Sequence, residues 1–405
     1  MSADTPVAAA PGALSSPGSQ TALRERNRQR IIAALLNSGP LTQAELSRRT
    51  GLSNATVSNL VRIMSDSGLV STEPTTSSGR RATSVRLNSD GTVAVGIDIG
   101  RSHVRVVLAS MDYRVVAERS KLLPLGHCAI DGVNAAAALM DGLLEEQGLS
   151  RQAALGAGIG IPGPIDRRSG TVVQGAILPE WVGINILELF EQNLQLPVQV
   201  DNDANLGALA QVTWGPHSDV SDLAFVKIGT GIGAGLILGG SPYYGNIGVT
   251  GEIGHATIVE HGQVCRCGNR GCLETVASTA VMIELLSRAM GATVSIEEIL
   301  RLAARRDAAT LRVIDDAGLA IGQAMATVAN LLNPQVFVVG GPLAELGETL
   351  MEPIRRSLIR HSVPTVGETT QLLASSLGNR AEALGAAALV LQQHGLGQSA
   401  PARRS

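Results

Sequence analysis

The chain has 405 residues but only four cysteines, and three of them, Cys265, Cys267 and Cys272, crowd into one short stretch. No run of about 18 apolar residues occurs, so a membrane span is not expected. The first residues show no basic region followed by an apolar one, so a secretory leader is not expected either. Residues 1–20 are mostly Ala, Pro, Ser and Gly with a single charge, Asp4. Such a composition buries too little apolar surface to fold, and a disordered tail is expected there. The expected location is the cytoplasm, where thiols stay reduced. Clustered cysteines then point to metal or catalysis before disulfides.

The net charge of −3 is unevenly spread. Residues 21–90 hold ten arginines and five acids, whereas the body after them carries an excess of seven negative charges. A small basic segment before a large acidic body fits a nucleic-acid module joined to a domain with another task. An ordinary fluctuation of surface charge would give the same totals.

Local patterns support the first reading. "RERNRQRIIAALLNS" spaces Ile31, Ile32, Leu35 and Leu36 as one face of a helix, which Gly39-Pro40 ends. Thr42 and Glu45 form a capping box for a helix that starts at Gln43, with Ala44 and Leu46 facing inward. Gly51 suits a left-handed turn, and Ser53 caps a second helix with an apolar stripe of Val57, Leu60, Val61 and Met64. Its other faces carry Asn54, Ala55, Thr56, Ser58, Asn59 and Arg62. Two short helices around such a turn are a helix-turn-helix, and small polar side chains near Ser53 can approach base edges in a major groove. "GLVSTEP" and "RATSVRLN" read as a hairpin wing tipped by Arg80 and Arg81, suited to phosphate or a narrow minor groove. The bland alternative is a small helical packing domain. A dimer on two half-sites of double-stranded DNA is expected.

From Thr92 the pattern changes. "TVAVGIDIG" reads as a buried strand, with "HVRVVLAS" and "YRVVAERS" as antiparallel neighbours. "DLAFVKIGTGIGAGLILGG" begins a second similar set, which predicts two related α/β lobes with a cleft between them. "GTGIGAG" offers closely spaced backbone N–H groups for a phosphate, or is a plain β-turn. "GIPGPID" is a rigid turn that shapes a cleft wall or simply connects. "VQVDNDANLGALA" sets Asp201, Asn202, Asp203 and Asn205 before a helix. They suit sugar hydroxyls, and Asp203 suits a general base; helix capping accounts for one or two of them. "QVFVVGGPLAELGE" is a further buried strand, ending at Gly340-Gly341 before a helix.

The clustered thiols follow a histidine. His255, Cys265, Cys267 and Cys272 make a full four-ligand shell with no open position, so structural Zn2+ is expected in the loop 255–272. Cys128 reads as a buried spectator. Glu252 and Glu274 flank the loop, which would fix both carboxylates and the imidazole for a carbohydrate pocket. Their alternative is as surface charges.

Taken in order, "GIPGPID", "DNDAN", "GTGIGAG", "GEIGH" and "CRCGNRGCLE" resemble the ROK family of transcriptional regulators and sugar kinases over nearly the whole chain after residue 20. The resemblance implies a two-lobed, actin-like (ribonuclease-H-like) body over 91–405, behind a winged helix-turn-helix over 21–90 found in the regulator branch. It implies sugar contacts from Asn202, Asp203, Glu252, His255 and Glu274, zinc on His255 and the three cysteines, and Asp203 at the kinase-base position. Nucleotide phosphates would meet Asp98, Gly100, Ser102, Gly229, Thr230 and Gly231. At "DIGRSH", however, Arg101 and Ser102 stand where the kinases have Gly and Thr, which argues against ATP with Mg2+ and against an enzyme. The expected function is a sugar-responsive, DNA-binding regulator of carbohydrate genes, most often a repressor in the family. Its expected partners are operator DNA, a sugar or sugar-phosphate effector and further copies of itself as a dimer or tetramer. The alternatives are an active sugar kinase with an added DNA-binding head, and a DNA-binding protein whose body only dimerises.

Overall fold

The structure is a computed structural model that describes residues 27–394 except 29, 33, 36–37, 67, 78–79, 89–90, 167–168 and 173–176. The expected tail over 1–20 lies outside the described residues, as does Leu36. The chain divides into two units, Met1–Asn88 with Gln393–Gly397, and Ser89–Gln392 with Gln398–Ser405. Among the described residues no helix is long and apolar enough to cross a membrane.

In the first unit the described residues between 27 and 38 are helical (α1), with Ile31, Ile32 and Leu35 buried. The pair Leu41–Thr42 (β1) leads into α2 (Gln43–Thr50). Thr42 Oγ1 accepts from Glu45 N–H, and Thr42 N–H donates to the Glu45 carboxylate at 2.8 Å, which closes the capping box. Leu46 and Thr50 are the buried residues of α2; Ala44 is exposed, contrary to expectation. Residues four apart share a helix face, whereas Ala44 lies about 200° around from Leu46. Gly51 ends α2 at φ 67°. Ser53 Oγ accepts from Thr56 N–H at 3.2 Å to start α3 (Asn54–Asp66), whose buried stripe is Val57, Leu60, Val61 and Met64. β2 (Val70–Ser77) and β3 (Arg80–Leu87) form the wing, in sheet order β1-β3-β2. Pro74 lies on β2, an edge strand, the place in a sheet where proline is tolerated.

The second unit contains one arrangement twice. β4 (Val93–Ile99), β5 (His103–Ser110) and β6 (Val115–Leu122) are antiparallel. Next come α4 (Ala129–Glu146), β7 (Ala154–Ile161), a small hairpin of β8 (Ile165–Asp166) and β9 (Thr171–Val172), α5 (Ile186–Leu194) and β10 (Val198–Asn202). The sheet order is β10-β7-β4-β5-β6, with β7 and β10 parallel to β4. After α6 (Asp203–Thr213) the second sheet begins with β11 (Leu223–Ile228), β12 (Ile232–Leu238) and β13 (Ser241–Pro242). It is followed by α7 (Glu274–Ala277), α8 (Thr279–Met290), α9 (Ile296–Ala304), α10 (Ala308–Leu332), β14 (Val336–Gly340), α11 (Glu348–His361), α12 (Pro364–Thr369), β15 (Gln371–Ala374) and α13 (Ala381–Gln393). Its order, β13-β12-β11-β14-β15, again sets three antiparallel strands beside two parallel ones. The expected pair of related lobes is therefore present.

Helices α6 and α13 join the lobes. One apolar cluster contains Val107 of the first sheet, Ala208 of α6, Phe225 and Val338 of the second sheet, and Leu384 of α13. Backbones meet closely here. A Cβ on Gly158 would lie 2.0 Å from Ala386 O, and one on Gly385 would lie 1.8 Å from Leu206 O. Only glycine permits that approach.

Candidate functional site

A cavity of about 340 Å³ opens at the carboxyl ends of the parallel strands. Asp98 and Gly100 border it at the end of β4, Pro162 after β7, Asn202 at the end of β10, Gly229, Thr230 and Gly231 after β11, and Gly341 after β14. Open α/β sheets place ligands at this edge, because strand ends leave side chains and backbone groups unpaired there.

Between β13 and α7 the chain forms the cysteine loop. The ligand atoms of His255, Cys265, Cys267 and Cys272 all lie within 4.8 Å of one another. His255 Nδ1 is 3.6 Å from Cys265 Sγ, and Cys267 Sγ is 3.7 Å from Cys272 Sγ. A tetrahedral shell with metal–sulfur bonds near 2.3 Å has edges of about 3.8 Å, so the four groups fit a metal ion. Burial, and then the neighbouring Cys267 and Cys265 sulfurs, push the Cys272 thiol up to about 12. Crowded sulfurs of this kind ionise together when a cation offsets their charge. Gly271 closes the loop at φ 66°, where a Cβ would lie 1.6 Å from Val259 O. Cys128, expected to be buried, is exposed. It occupies the N-cap of α4 and its thiol donates to Asp131 at 3.0 Å.

The loop presents acidic groups to the cavity. Glu252, His255, Arg266 and Glu274 all line it. His255 Nε2 is 3.7 Å from a Glu252 carboxylate oxygen, so its two ring nitrogens face the sulfurs and the cavity respectively. Burial, then the negative charges of Asp203 and Glu274, push the Glu252 carboxyl up to about 7. Glu274 is buried at the start of α7; its Oε2 accepts from Arg266 at 2.5 Å and from Ile232 N–H at 3.3 Å.

Across the cavity, the Asp/Asn cluster divides into two roles. Asp201 and Asn205 are buried and bond to each other at 3.0 Å. Asn202 caps α6: its Oδ1 accepts from Ala204 N–H at 2.8 Å, and its Nδ2 donates to Gly163 O at 2.9 Å. Asp203 is the first residue of α6, and its Oδ2 accepts from Lys227 Nζ at 2.7 Å.

At the other end of the cavity, His103 Nε2 is 2.9 Å from Asp98 Oδ2. The same imidazole covers Gly100, since a Cβ there would lie 2.0 Å from its Cε1. Both expected phosphate turns use backbone N–H groups internally: Gly100 N–H donates to His103 O and Gly229 N–H to Gly231 O, each at 2.9 Å. Arg101 and Ser102 line the cavity, as does Thr230.

In the first unit, Ser53, Asn54, Ala55, Ser58, Asn59 and Arg62 are exposed and Thr56 is half-buried, so the helix-turn-helix presents a polar face. Arg81 is exposed on the wing; the placement of the Arg80 side chain lies outside the described residues.

The family model of the ROK family matches residues 94–393, about three quarters of the chain. The chain belongs to the ROK family. A second model, of the MarR family, matches residues 26–81, over the winged helix. The xylose repressor of Caldicellulosiruptor bescii is 28% identical over 389 residues, covering 92% of this chain and 97% of that protein. Among solved structures, a ROK family transcriptional regulator, homologous to the Escherichia coli Mlc protein, matches 92% of this chain with a TM-score of 0.77 and 26% identity, over 97% of its own length. A ROK family glucokinase from Streptomyces griseus, solved with glucose and AMPPNP, matches 74% with a TM-score of 0.67 and 29% identity, over 99% of its length. This ROK protein is therefore of the regulator kind: a DNA-binding winged helix joined to a sugar-kinase-like body.

Four residues of the ROK cleft escaped the sequence reading: His103, Lys227, Arg266 and Glu382. Lys227 had a legible signal, because it interrupts the buried strand "LAFVKI". Arg266 had a weaker one, lying between two cysteines of the metal loop.

Proposed function

We propose that a monosaccharide or its phosphate binds between Glu252, His255 and Glu274 on one side and Asn202 and Asp203 on the other, and that binding weakens operator DNA binding by a dimer. Carboxylates accept hydrogen bonds from sugar hydroxyls, and the cavity has the volume of a small-ligand site. The observation that carries this reading is the double role of His255, whose ring faces the thiol cluster with one nitrogen and Glu252 with the other. A structural Zn2+ on His255, Cys265, Cys267 and Cys272 would orient that ring and supply no chemistry, since its shell has no open position. The regulator works in the cytoplasm and uses Ser53, Asn54, Ala55, Thr56, Ser58, Asn59 and Arg62 toward bases, and Arg80 and Arg81 toward the backbone. The domain boundaries proposed are 21–90 for the head and 91–405 for the body. Repression is relieved because the sugar prefers one lobe arrangement over the other.

The test is a thermal-shift screen against hexoses, N-acetylhexosamines, pentoses and their phosphates, followed by anisotropy on bound genomic DNA. A true effector raises the melting temperature by mass action and releases DNA. If no sugar does both, the reading fails. The competing kinase reading draws on Asp203 beside the cavity and on the overlap with a ROK glucokinase. A coupled assay with ATP and the stabilising sugar separates the two.

A further inference from the structure

The chain has only two lysines, Lys121 and Lys227, against an abundance of arginine, and both border the cavity. Lys227 sits on β11, two positions before the Gly229–Gly231 turn, with its side chain 18% exposed. Its ammonium is 2.7 Å from Asp203 Oδ2 and 3.1 Å from Glu382 Oε1. Asp203 opens α6 and Glu382 lies in the first turn of α13, so a single cation ties together the starts of both inter-lobe helices. Asp98, from the other lobe, adds a third carboxylate that is almost wholly buried, with Oδ1 lacking a hydrogen-bond partner.

We propose that Lys227 is a tethered cation filling the phosphate end of the ROK cleft, so that the cleft takes a sugar but not a magnesium–nucleotide.

A nucleotide triphosphate needs a divalent cation that bridges its phosphates and is held by carboxylates and water. Here an ammonium stands instead, paired with Asp203 and Glu382 and held further by the charge of Asp98. Burial lowers the lysine, but Asp203, Glu382 and Asp98 together outweigh it and keep it charged. Burial likewise raises Asp98, and the Lys227 ammonium with the His103 hydrogen bond outweighs it. A second positive ion in the same place would meet direct repulsion. Asp203 Oδ2 is also held in an ion pair by the ammonium, so it can accept a hydrogen bond from a sugar hydroxyl but is engaged where a general base would need that oxygen free. His103 adds a steric block, since its ring lies against Gly100 where a phosphate would approach the backbone.

Calorimetry with full-length protein and magnesium–ATP tests this, with the wild type beside Lys227→Ser. The wild type should give no saturable heat. Lys227→Ser should bind magnesium–ATP at least about tenfold more tightly than wild type. One-to-one binding by the wild type overturns the proposal, and so does a folded Lys227→Ser protein with no gain. If Lys227→Ser does not fold, Lys227→Met with Glu382→Gln removes one charge of each sign, and the same gain or its absence decides. Sugar binding is measured on the same proteins. Failure of the sugar reading shows as no sugar heat in any of them, whereas failure of this proposal shows only in the nucleotide titration.

Discussion

His255 Nε2 lies 3.7 Å from Glu252 while the Nδ1 of the same ring lies 3.6 Å from Cys265 Sγ. A single imidazole thus belongs both to the thiol cluster and to the wall of the cavity. Whatever fixes one nitrogen orients the other.

Metal loss should therefore be felt as ligand loss. Elemental analysis of the reduced protein should find one zinc per chain, and Cys267→Ser should lose it. The melting temperature should fall by about 5 °C or more, because the loop has few apolar contacts of its own to hold it. Sugar stabilisation in the same thermal shift should disappear. Full retention of the sugar shift in metal-free protein would separate the loop from the pocket.

Glu252→Gln keeps the shape of the side chain and replaces a carboxyl that burial pushes up to about 7 with an amide that carries no charge at any pH. Sugar affinity measured by calorimetry should weaken about 10- to 100-fold, the cost of about 1–3 kcal/mol for a lost hydrogen bond in a partly buried site. DNA affinity without sugar should stay within error. An unchanged sugar affinity would remove Glu252 from the pocket.

The wing acts through charge. Arg80→Ala with Arg81→Ala should weaken DNA binding and reduce the slope of log affinity against log salt by about 2, one unit for each lost phosphate contact. Anisotropy across a salt series reads both quantities. An unchanged slope would place the phosphate contacts elsewhere on the head.

Close backbone contact gives a stability prediction. Gly158→Ala would place a Cβ 2.0 Å from Ala386 O, on the rigid backbone of α13. No side-chain rotation relieves that clash, so a loss of about 1–3 kcal/mol or more is expected in urea unfolding. An unfolding midpoint equal to wild type would show that α13 shifts freely.

The sequence was most informative where signals are local. The capping box of Thr42 and Glu45, the turn at Gly51 and the cap at Ser53 each lie within four residues, and each has its expected geometry. The cysteine loop was legible for a related reason: one histidine and three thiols in a short stretch come together as a cluster that fits a metal ion. The duplicated sheets were visible as pattern, through Gly-ended strands that recur. What stayed hidden depends on distance. The ion pair of Asp203 with Lys227 carries no sequence signal, because Lys227, 24 positions later, meets it only after β11 and α6 pack. His103 was read as part of an alternating strand, yet its ring folds back over Gly100. Residue type alone points Cys128 to the interior, whereas its position at the N-cap of α4 leaves it in solvent. Ala44 was misplaced because a small apolar residue carries little facing information.

The scarcity of lysine has a practical consequence. Nearly every cationic side chain of this protein is a guanidinium, which reagents aimed at primary amines ignore. Apart from the chain's own α-amino group, such a reagent has just two targets, Lys121 in the open and Lys227 behind its carboxylates. The relative labelling of these two amines would act as a built-in gauge of how often the ion pairs deep in the cleft come apart.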